Sequence, residues 1–319
     1  MLIRQLGRSG ISTSEFIFGA GSIGGVGSSA ATLGQGITAE QGMARLDEAA
    51  RLGVRVIDTA DGYGGGESER TVGAWLAARR PADVLVATKV GNTPEGVDLS
   101  RAHLERHLER SIGRLGRVDL YLSHAPDPST PVAETLEAFT AARQAGSIRA
   151  FGVCNVDVRQ LEEILSTAAS TGLDRPEWVQ NGFSLLNRVA ERDLLPLLAR
   201  EGLGFTPFSP LAGGVLSERY LDGRAVAPGS RIAVAGDRYY PGMHTPDNLR
   251  RVAALRALAR ERGIGVSGMA LAWLRSHPSV TAPIVAPSTT GQWNAVREAL
   301  ATDLDPAERA AVSDLFARH

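Results

Sequence analysis

The stretch Val56-Ile57-Asp58-Thr59-Ala60-Asp61-Gly62-Tyr63-Gly64 decides how the rest of the chain is read. An apolar run ends in a carboxylate, and five residues later a tyrosine stands between two glycines. This pattern predicts a buried strand with Asp58 at its C-terminal end and Tyr63 on the glycine-kinked loop that follows. A phenol is a weak acid near neutrality, with an ordinary pKa of about 10. It becomes chemically useful only where a cation or a desolvated pocket changes it. Of the 34 Lys plus Arg, all but one are arginine, and the single lysine is Lys89. It ends the next apolar run, Asp83-Val84-Leu85-Val86-Ala87-Thr88-Lys89. An arginine-rich composition would supply arginine where only positive charge is wanted. A compact ammonium can approach a phenol and share its proton in a way a guanidinium cannot. The bland alternative is a lone surface lysine, and the apolar run before Lys89 argues against it.

The length of 319 residues suits two average domains, but α/β barrels routinely run this long as one. The reading adopted is a single barrel domain over 1–319. A net charge of −1, with both signs scattered throughout, gives no basic face for nucleic acid. There is no uninterrupted apolar run of about 18 residues for a membrane span, and Met1-Leu2-Ile3-Arg4-Gln5 lacks a signal-peptide pattern. The lone cysteine, Cys154, excludes an internal disulfide framework and points to a reducing cytoplasm.

Residues 2–14 read as a hairpin turning through Gly7-Arg8-Ser9-Gly10. From there apolar runs with polar ends recur: Phe16–Gly19, Val54–Asp58, Val84–Lys89, Val118–His124, Ile148–Asn155, Trp178–Gln180, Gly204–Ser209 and Pro283–Ser288. Amphipathic helical stretches lie between most of them, such as Thr38–Leu52, Glu67–Ala78, Leu99–Leu115, Pro131–Ala145 and Val158–Ala169. Thr38 with Gln41 forms a capping-box start, and Gly53, Gly116, Gly146 and Gly202 stand where helices should stop. From Asp58 to Ser209 the polar ends repeat every 25 to 35 residues, the length of a strand with its crossover helix. Eight such units predict a (β/α)8 TIM barrel with an N-terminal hairpin and extra C-terminal helices. Chemistry in such a barrel collects at the C-terminal strand ends. Those ends carry Asp58, Lys89, His124, Asn155, Gln180, Ser209 and Ser288. Strand exits alone would explain polarity, but not one acid, the only lysine, a histidine and two amides together.

The chain resembles the aldo-keto reductases over nearly its whole length. The resemblance rests on Asp58-Thr59-Ala60-Asp61-Gly62-Tyr63-Gly64, Gly66-Glu67-Ser68-Glu69, Ala87-Thr88-Lys89-Val90-Gly91 and Asp119-Leu120-Tyr121-Leu122-Ser123-His124. It continues through Phe151-Gly152-Val153-Cys154-Asn155, Gln180–Arg188 and Phe208-Ser209-Pro210-Leu211-Ala212-Gly213-Gly214-Val215-Leu216. It implies a nicotinamide-dependent oxidoreductase acting on a small carbonyl or alcohol substrate, with Asp58, Tyr63, Lys89 and His124 as the catalytic tetrad. Tyr63 would donate the proton, made more acidic by Lys89; Asp58 would hold Lys89; His124 would bond the substrate oxygen.

The resemblance also implies that Cys154, Asn155 and Gln180 hold the nicotinamide carboxamide and that Phe208 stacks on its ring. Cys154 stands for the family's usual serine and Phe208 for its commoner tyrosine. Ser209, Leu211 and Gly213 would contact the pyrophosphate, with Arg231, Arg238, Tyr239 and Tyr240 folding over it as a belt. At the adenosine end, Ser288, Thr289 and Gln292 could bond phosphate or ribose, but no Lys or Arg follows until Arg297, and Ala295 and Val296 replace the usual acid and amide. NADP(H) is the expected cofactor, with NAD(H) as the alternative.

Several signals point elsewhere and are discounted. Gly19-Ala20-Gly21-Ser22-Ile23-Gly24 matches a dinucleotide fingerprint, yet no helix opens there before Thr38. A short-chain dehydrogenase would need a tyrosine where Leu85 stands. His103 and His107 have zinc-ligand spacing but read as a solvated helix face, and no metal is expected. The Gly21–Gly36 loop reads as flexible and as a border of the substrate pocket. A metal-dependent hydrolase, an oxidative aldose or pyridoxal-type dehydrogenase, and a cofactor-binding regulatory subunit are the competing functions.

Overall fold

The computed structural model describes residues 1–317, with the backbone alone at Asp237. β1 (Ile3–Gln5) and β2 (Ser12–Ser14) form the antiparallel hairpin, with Ile3 opposite Ser14. β3 (Ile17–Gly19) leads through a long loop to α1 (Ala39–Arg51), then β4 (Val56–Asp58) and α2 (Glu67–Arg79). β5 (Leu85–Val90) is followed by a small ribbon, β6 (Asn92–Thr93) with β7 (Gly96–Val97), before α3 (Arg101–Leu115) and β8 (Leu120–Ser123). Regular repeats follow: α4 (Val132–Gln144) and β9 (Ala150–Cys154), α5 (Val158–Thr171) and β10 (Trp178–Gln180), α6 (Leu194–Glu201) and β11 (Gly204–Phe205). Helices α7 (Arg231–Tyr239), α8 (Pro246–Glu261) and α9 (Val266–Arg275) precede β12 (Ile284–Val285). α10 (Trp293–Ala301) and α11 (Pro306–Asp314) come last.

Eight strands form one parallel sheet in the order β11-β10-β9-β8-β5-β4-β3-β12. The Thr281 and Ile284 N–H groups donate to the Phe205 and Pro207 carbonyls, both at 2.8 Å, and join its two edges. The sheet is thereby closed into a (β/α)8 barrel, which removes exposed strand edges. Alternation along the strands separates two apolar layers. Ile17, Val56, Ala87, Leu120, Leu122, Ala150 and Trp178 belong to an inner cluster, with Leu6 and Ile11 of the hairpin segment packed against it. Ile57, Val86, Tyr121, Phe151 and Val179, one residue out of phase, join the layer beneath the helices.

The helices start and stop where local chemistry requires. Thr38 Oγ1 accepts from the Gln41 N–H while the Gln41 side-chain oxygen accepts from the Thr38 N–H, and Asp157 with Gln160 repeats the device at α5. Gly116 ends α3 with φ +83°, a conformation that costs any residue with a Cβ. The last two strands are shorter than the apolar runs suggest. Pro207 and Pro210 follow β11 and Pro283 and Pro287 flank β12, and proline has no N–H for a ladder. The hairpin is fastened to the last third of the chain. Arg4 donates to the Val280 and Arg275 carbonyls at 2.8 and 2.9 Å, and the buried Arg275 guanidinium donates to Glu15 at 3.0 Å.

Candidate active site

Strand register sets the site. β4 pairs Asp58 with Ala87 of β5, so Lys89 projects two residues further along, still within β5. β5 pairs Val90 with Ser123 of β8, which puts His124 at the same rim. Lys89 is only 1% exposed. Its Nζ donates to Asp58 Oδ2 at 2.7 Å, to the Thr59 carbonyl at 2.8 Å and to Tyr63 Oη at 3.1 Å. An ammonium has three protons, so Lys89 is fully committed. Tyr63 Oη accepts one of them, and its own hydrogen finds no acceptor among the described residues. Asp58 is fixed from its other side by Gln180 Nε2, which donates to Oδ1 at 3.0 Å. The rings of Tyr63 and His124 meet edge to face, with centroids 5.5 Å apart.

The ionisation of these groups follows from burial and from one another. Burial disfavours the Lys89 ammonium, but Asp58 and Tyr63 more than offset this and hold Lys89 above its ordinary value, so it stays charged. Burial also drives Tyr63, up to about 12, with Lys89 pulling the other way. Lys89 does make the phenol more acidic than burial alone would leave it, but desolvation, which the sequence does not show, outweighs that effect. Burial, reinforced by Lys89, lowers His124 to about 3, so its imidazole is neutral at physiological pH. Its Nδ1 is buried without a partner among the described residues. Burial raises the Cys154 thiol and keeps it protonated.

A cavity of about 1560 Å³ runs from this cluster across the barrel mouth. Asp58, Tyr63, His124, Cys154, Asn155, Gln180, Phe208, Ser209, Leu211, Gly213, Ser288 and Gln292 line it; Lys89 lies behind Tyr63, and Thr289 is exposed outside it. Its shape and donors fit an extended dinucleotide. Gly213 and Gly214, at φ +69° and +94°, leave a side-chain-free backbone turn, and a Cβ on Gly182 would come within 3.3 Å of the Phe208 ring. Asn155 and Ser209 hold left-handed backbone, φ +58° and +56°, a cost that clusters at functional sites. The amides are partly spent within the protein. Asn155 Nδ2 donates to the His124 carbonyl at 2.8 Å, and Cys154 Sγ donates to Gln180 Oε1 at 3.5 Å. Arg231, Arg238, Tyr239 and Tyr240 line the same cavity, and Tyr240 Oη lies 3.2 Å from Ser209 Oγ.

Other expectations change. The Gly21–Gly36 loop borders the cavity but is knit together: Gly27 N–H donates to the Gly21 carbonyl, Gly34 to Gly24 and Ile37 to Ser22. The glycines of the false fingerprint have a packing reason, since a Cβ on Gly21 would come within 3.1 Å of the Tyr63 ring. His103 and His107 are not on a solvated face. His103 is buried, its ring stacks on His107 at 3.9 Å, and His107 Nδ1 lies 2.6 Å from Asp61 Oδ2. Among the described residues no group of three or more His, Cys, Asp or Glu could hold a metal ion. Trp293 is fully buried and stacked on Phe18. Arg297 is held by Glu48 and Asn294. The sequence reading missed Arg45 of α1, which donates to Thr290 Oγ1 at 2.7 Å beside the Ser288–Gln292 turn.

The barrel and the cluster at its mouth define the class, and comparison with known proteins agrees. Residues 15–316 match the model of the Aldo/keto reductase family. The chain belongs to that family. It is similar to a rice (Oryza sativa subsp. japonica) protein named "Probable voltage-gated potassium channel subunit beta", at 32% identity over 92% of this chain and 89% of the relative. The "Uncharacterized oxidoreductase YrpG" of Bacillus subtilis is 30% identical over 98% of this chain and 94% of its own. The "L-glyceraldehyde 3-phosphate reductase" of Escherichia coli is 31% identical over 79% and 77%. The family uses nicotinamide cofactors, and the chain is an oxidoreductase of this kind. Among the described residues no helix is long and apolar enough to cross a membrane.

Proposed function

We propose that residues 1–319 form one barrel domain that reduces an aldehyde, ketone or sugar carbonyl with NADPH, using Tyr63 as the general acid. The observation that carries this reading is the Lys89–Tyr63 hydrogen bond at 3.1 Å, which leaves the phenolic proton free beside the cavity. When bound, the nicotinamide supplies the hydride. Cys154, Asn155, Gln180 and Phe208 would hold its ring end, Ser209, Leu211 and Gly213 its pyrophosphate, and Ser288, Thr289 and Gln292 its adenosine.

As charge develops on the carbonyl oxygen, Tyr63 donates its proton there. A phenol near 12 suffices, because an alkoxide is comparable in basicity to hydroxide, whose parent water has a pKa of about 15.7. Lys89, kept charged by Asp58, then stabilises the phenolate. Neutral His124 donates an N–H to the same oxygen and orients it. In the oxidative direction the same groups act in reverse. The guanidinium of Arg45 beside the Ser288–Gln292 turn supports a preference for NADP(H) over NAD(H). A single buried, free cysteine supports a reducing, cytoplasmic setting.

The names of the rice and Arabidopsis thaliana relatives favour a second reading, a cofactor-binding regulatory subunit. Following the absorbance of NADPH and NADH with a panel of aldehydes, ketones and aldoses separates the two. Turnover that prefers NADPH is expected; tight cofactor binding with no turnover of any carbonyl would favour the regulatory role.

A further inference from the structure

We propose that one face of α3, carrying His107 and Arg114, is the positioning element for the Tyr63 loop, and that His107 acts through Asp61. This rests on the reading of Tyr63 as proton donor. His103, His107 and Arg114 stand at i, i+4 and i+11, so they share a face of α3. That face meets the loop two residues before Tyr63. Asp61 is buried, and His107 Nδ1 donates to its Oδ2 at 2.6 Å. Its other oxygen, Oδ1, is buried with no partner among the described residues. His107 is therefore the side chain that satisfies this carboxylate.

The backbone of Asp61 is held as firmly. Its N–H donates to the Lys89 carbonyl at 3.1 Å, and its carbonyl accepts from Arg114 Nη1 at 3.0 Å. The same Arg114 nitrogen donates to Glu69 Oε2 at 2.9 Å, and Glu69 Oε1 accepts from Thr88 Oγ1, beside Lys89, at 2.6 Å. Arg114 also closes the far end of the loop, because a Cβ on Gly66 would meet its guanidinium at 2.6 Å. The His107 ring is itself braced by the stacked His103, whose Nδ1 lies 3.1 Å from Asp98 Oδ2. The loop is thus pinned to the lysine strand on one side and to α3 on the other.

Removing His107 leaves a buried carboxylate without a partner, and a hydrogen bond to such a charge governs an opening equilibrium by roughly tenfold to hundredfold. The test combines hydrogen–deuterium exchange of residues 59–66 with carbonyl reduction and cofactor affinity, on the full-length protein. Five of these amides, Thr59, Asp61, Tyr63, Gly64 and Gly65, are hydrogen-bonded within the barrel mouth and report on opening. In His107→Ala, exchange there should quicken about tenfold or more, and kcat should fall by a similar factor, with cofactor Kd within about twofold of wild type. His107→Asn, whose amide nitrogen occupies the place of Nδ1, should recover most of both. Leu161→Ala, in the α5 core, should lower the melting temperature without moving either. Wild-type exchange in His107→Ala, or the same quickening in Leu161→Ala, overturns the proposal. Failure of the reductase reading shows separately, as absent wild-type turnover, and the exchange result still decides the clamp.

Discussion

Replacing Lys89 by methionine separates what the ammonium does for the fold from what it does for the chemistry. Lys89 and Asp58 are 1% and 4% exposed and 2.7 Å apart. Lys89→Met leaves Asp58 buried, with Gln180 as its remaining side-chain partner. Breaking a buried ion pair in this way costs about 3–5 kcal/mol. In a chain of this size that lowers the melting temperature by on the order of 10 °C. It also removes the influence that restrains the rise in the Tyr63 pKa, so the phenol becomes a weaker acid. The double variant Asp58→Asn with Lys89→Met removes the stranded charge while keeping an acceptor for Gln180. It should recover most of the stability and none of the activity. Calorimetry and single-turnover reduction at pH 7 check both halves. Equal melting temperatures for wild type and Lys89→Met, or recovered turnover in the double variant, would refute the reasoning.

Gly21→Ala places a methyl group 3.1 Å from the Tyr63 ring and should displace it. We expect kcat to fall by about tenfold to hundredfold with the far-ultraviolet circular dichroism unchanged; wild-type kcat would show that the ring has room. Burial lowers His124 to about 3 and His277 to about 4, whereas both take up protons near 6.5 when unfolded. Above that value their contribution to stability is complete, and it is lost as pH falls from about 6.5 towards their folded values, so the melting temperature should drop between pH 7 and pH 4, and less steeply in His277→Gln. Neutral His124 and protonated Tyr63 both persist from about pH 5 to 8, so the kcat profile for reduction should be flat there; a step centred near pH 6.5 would contradict the neutral histidine.

The convergence of Asp58, Tyr63, Lys89 and His124 was legible because each strand-end residue closes an apolar run, and parallel strands in register bring such ends to one rim. What the chain does not encode locally was missed. A histidine pair at i and i+4 looks the same whether it faces water or a neighbouring loop. Only the packing of α3 shows that His107 meets Asp61. Arg45 reaches Thr290 from 245 residues away, which no local pattern announces. The lysine beside Tyr63 was visible in sequence, but the desolvation that outweighs it depends on the enclosing walls. The short β11 and β12 could have been anticipated, since the prolines beside them were in plain view.

The most direct measurement is the rate of NADPH oxidation by Tyr63→Phe with a carbonyl that the wild type turns over, alongside cofactor affinity by fluorescence quenching. The variant keeps the ring that packs against Gly21 and His124 and loses only the hydroxyl that Lys89 holds at 3.1 Å. Turnover should fall by at least about a hundredfold, the range of a lost general acid, with the cofactor Kd unchanged. A variant that still reduces the carbonyl at close to the wild-type rate would mean that the proton comes from elsewhere.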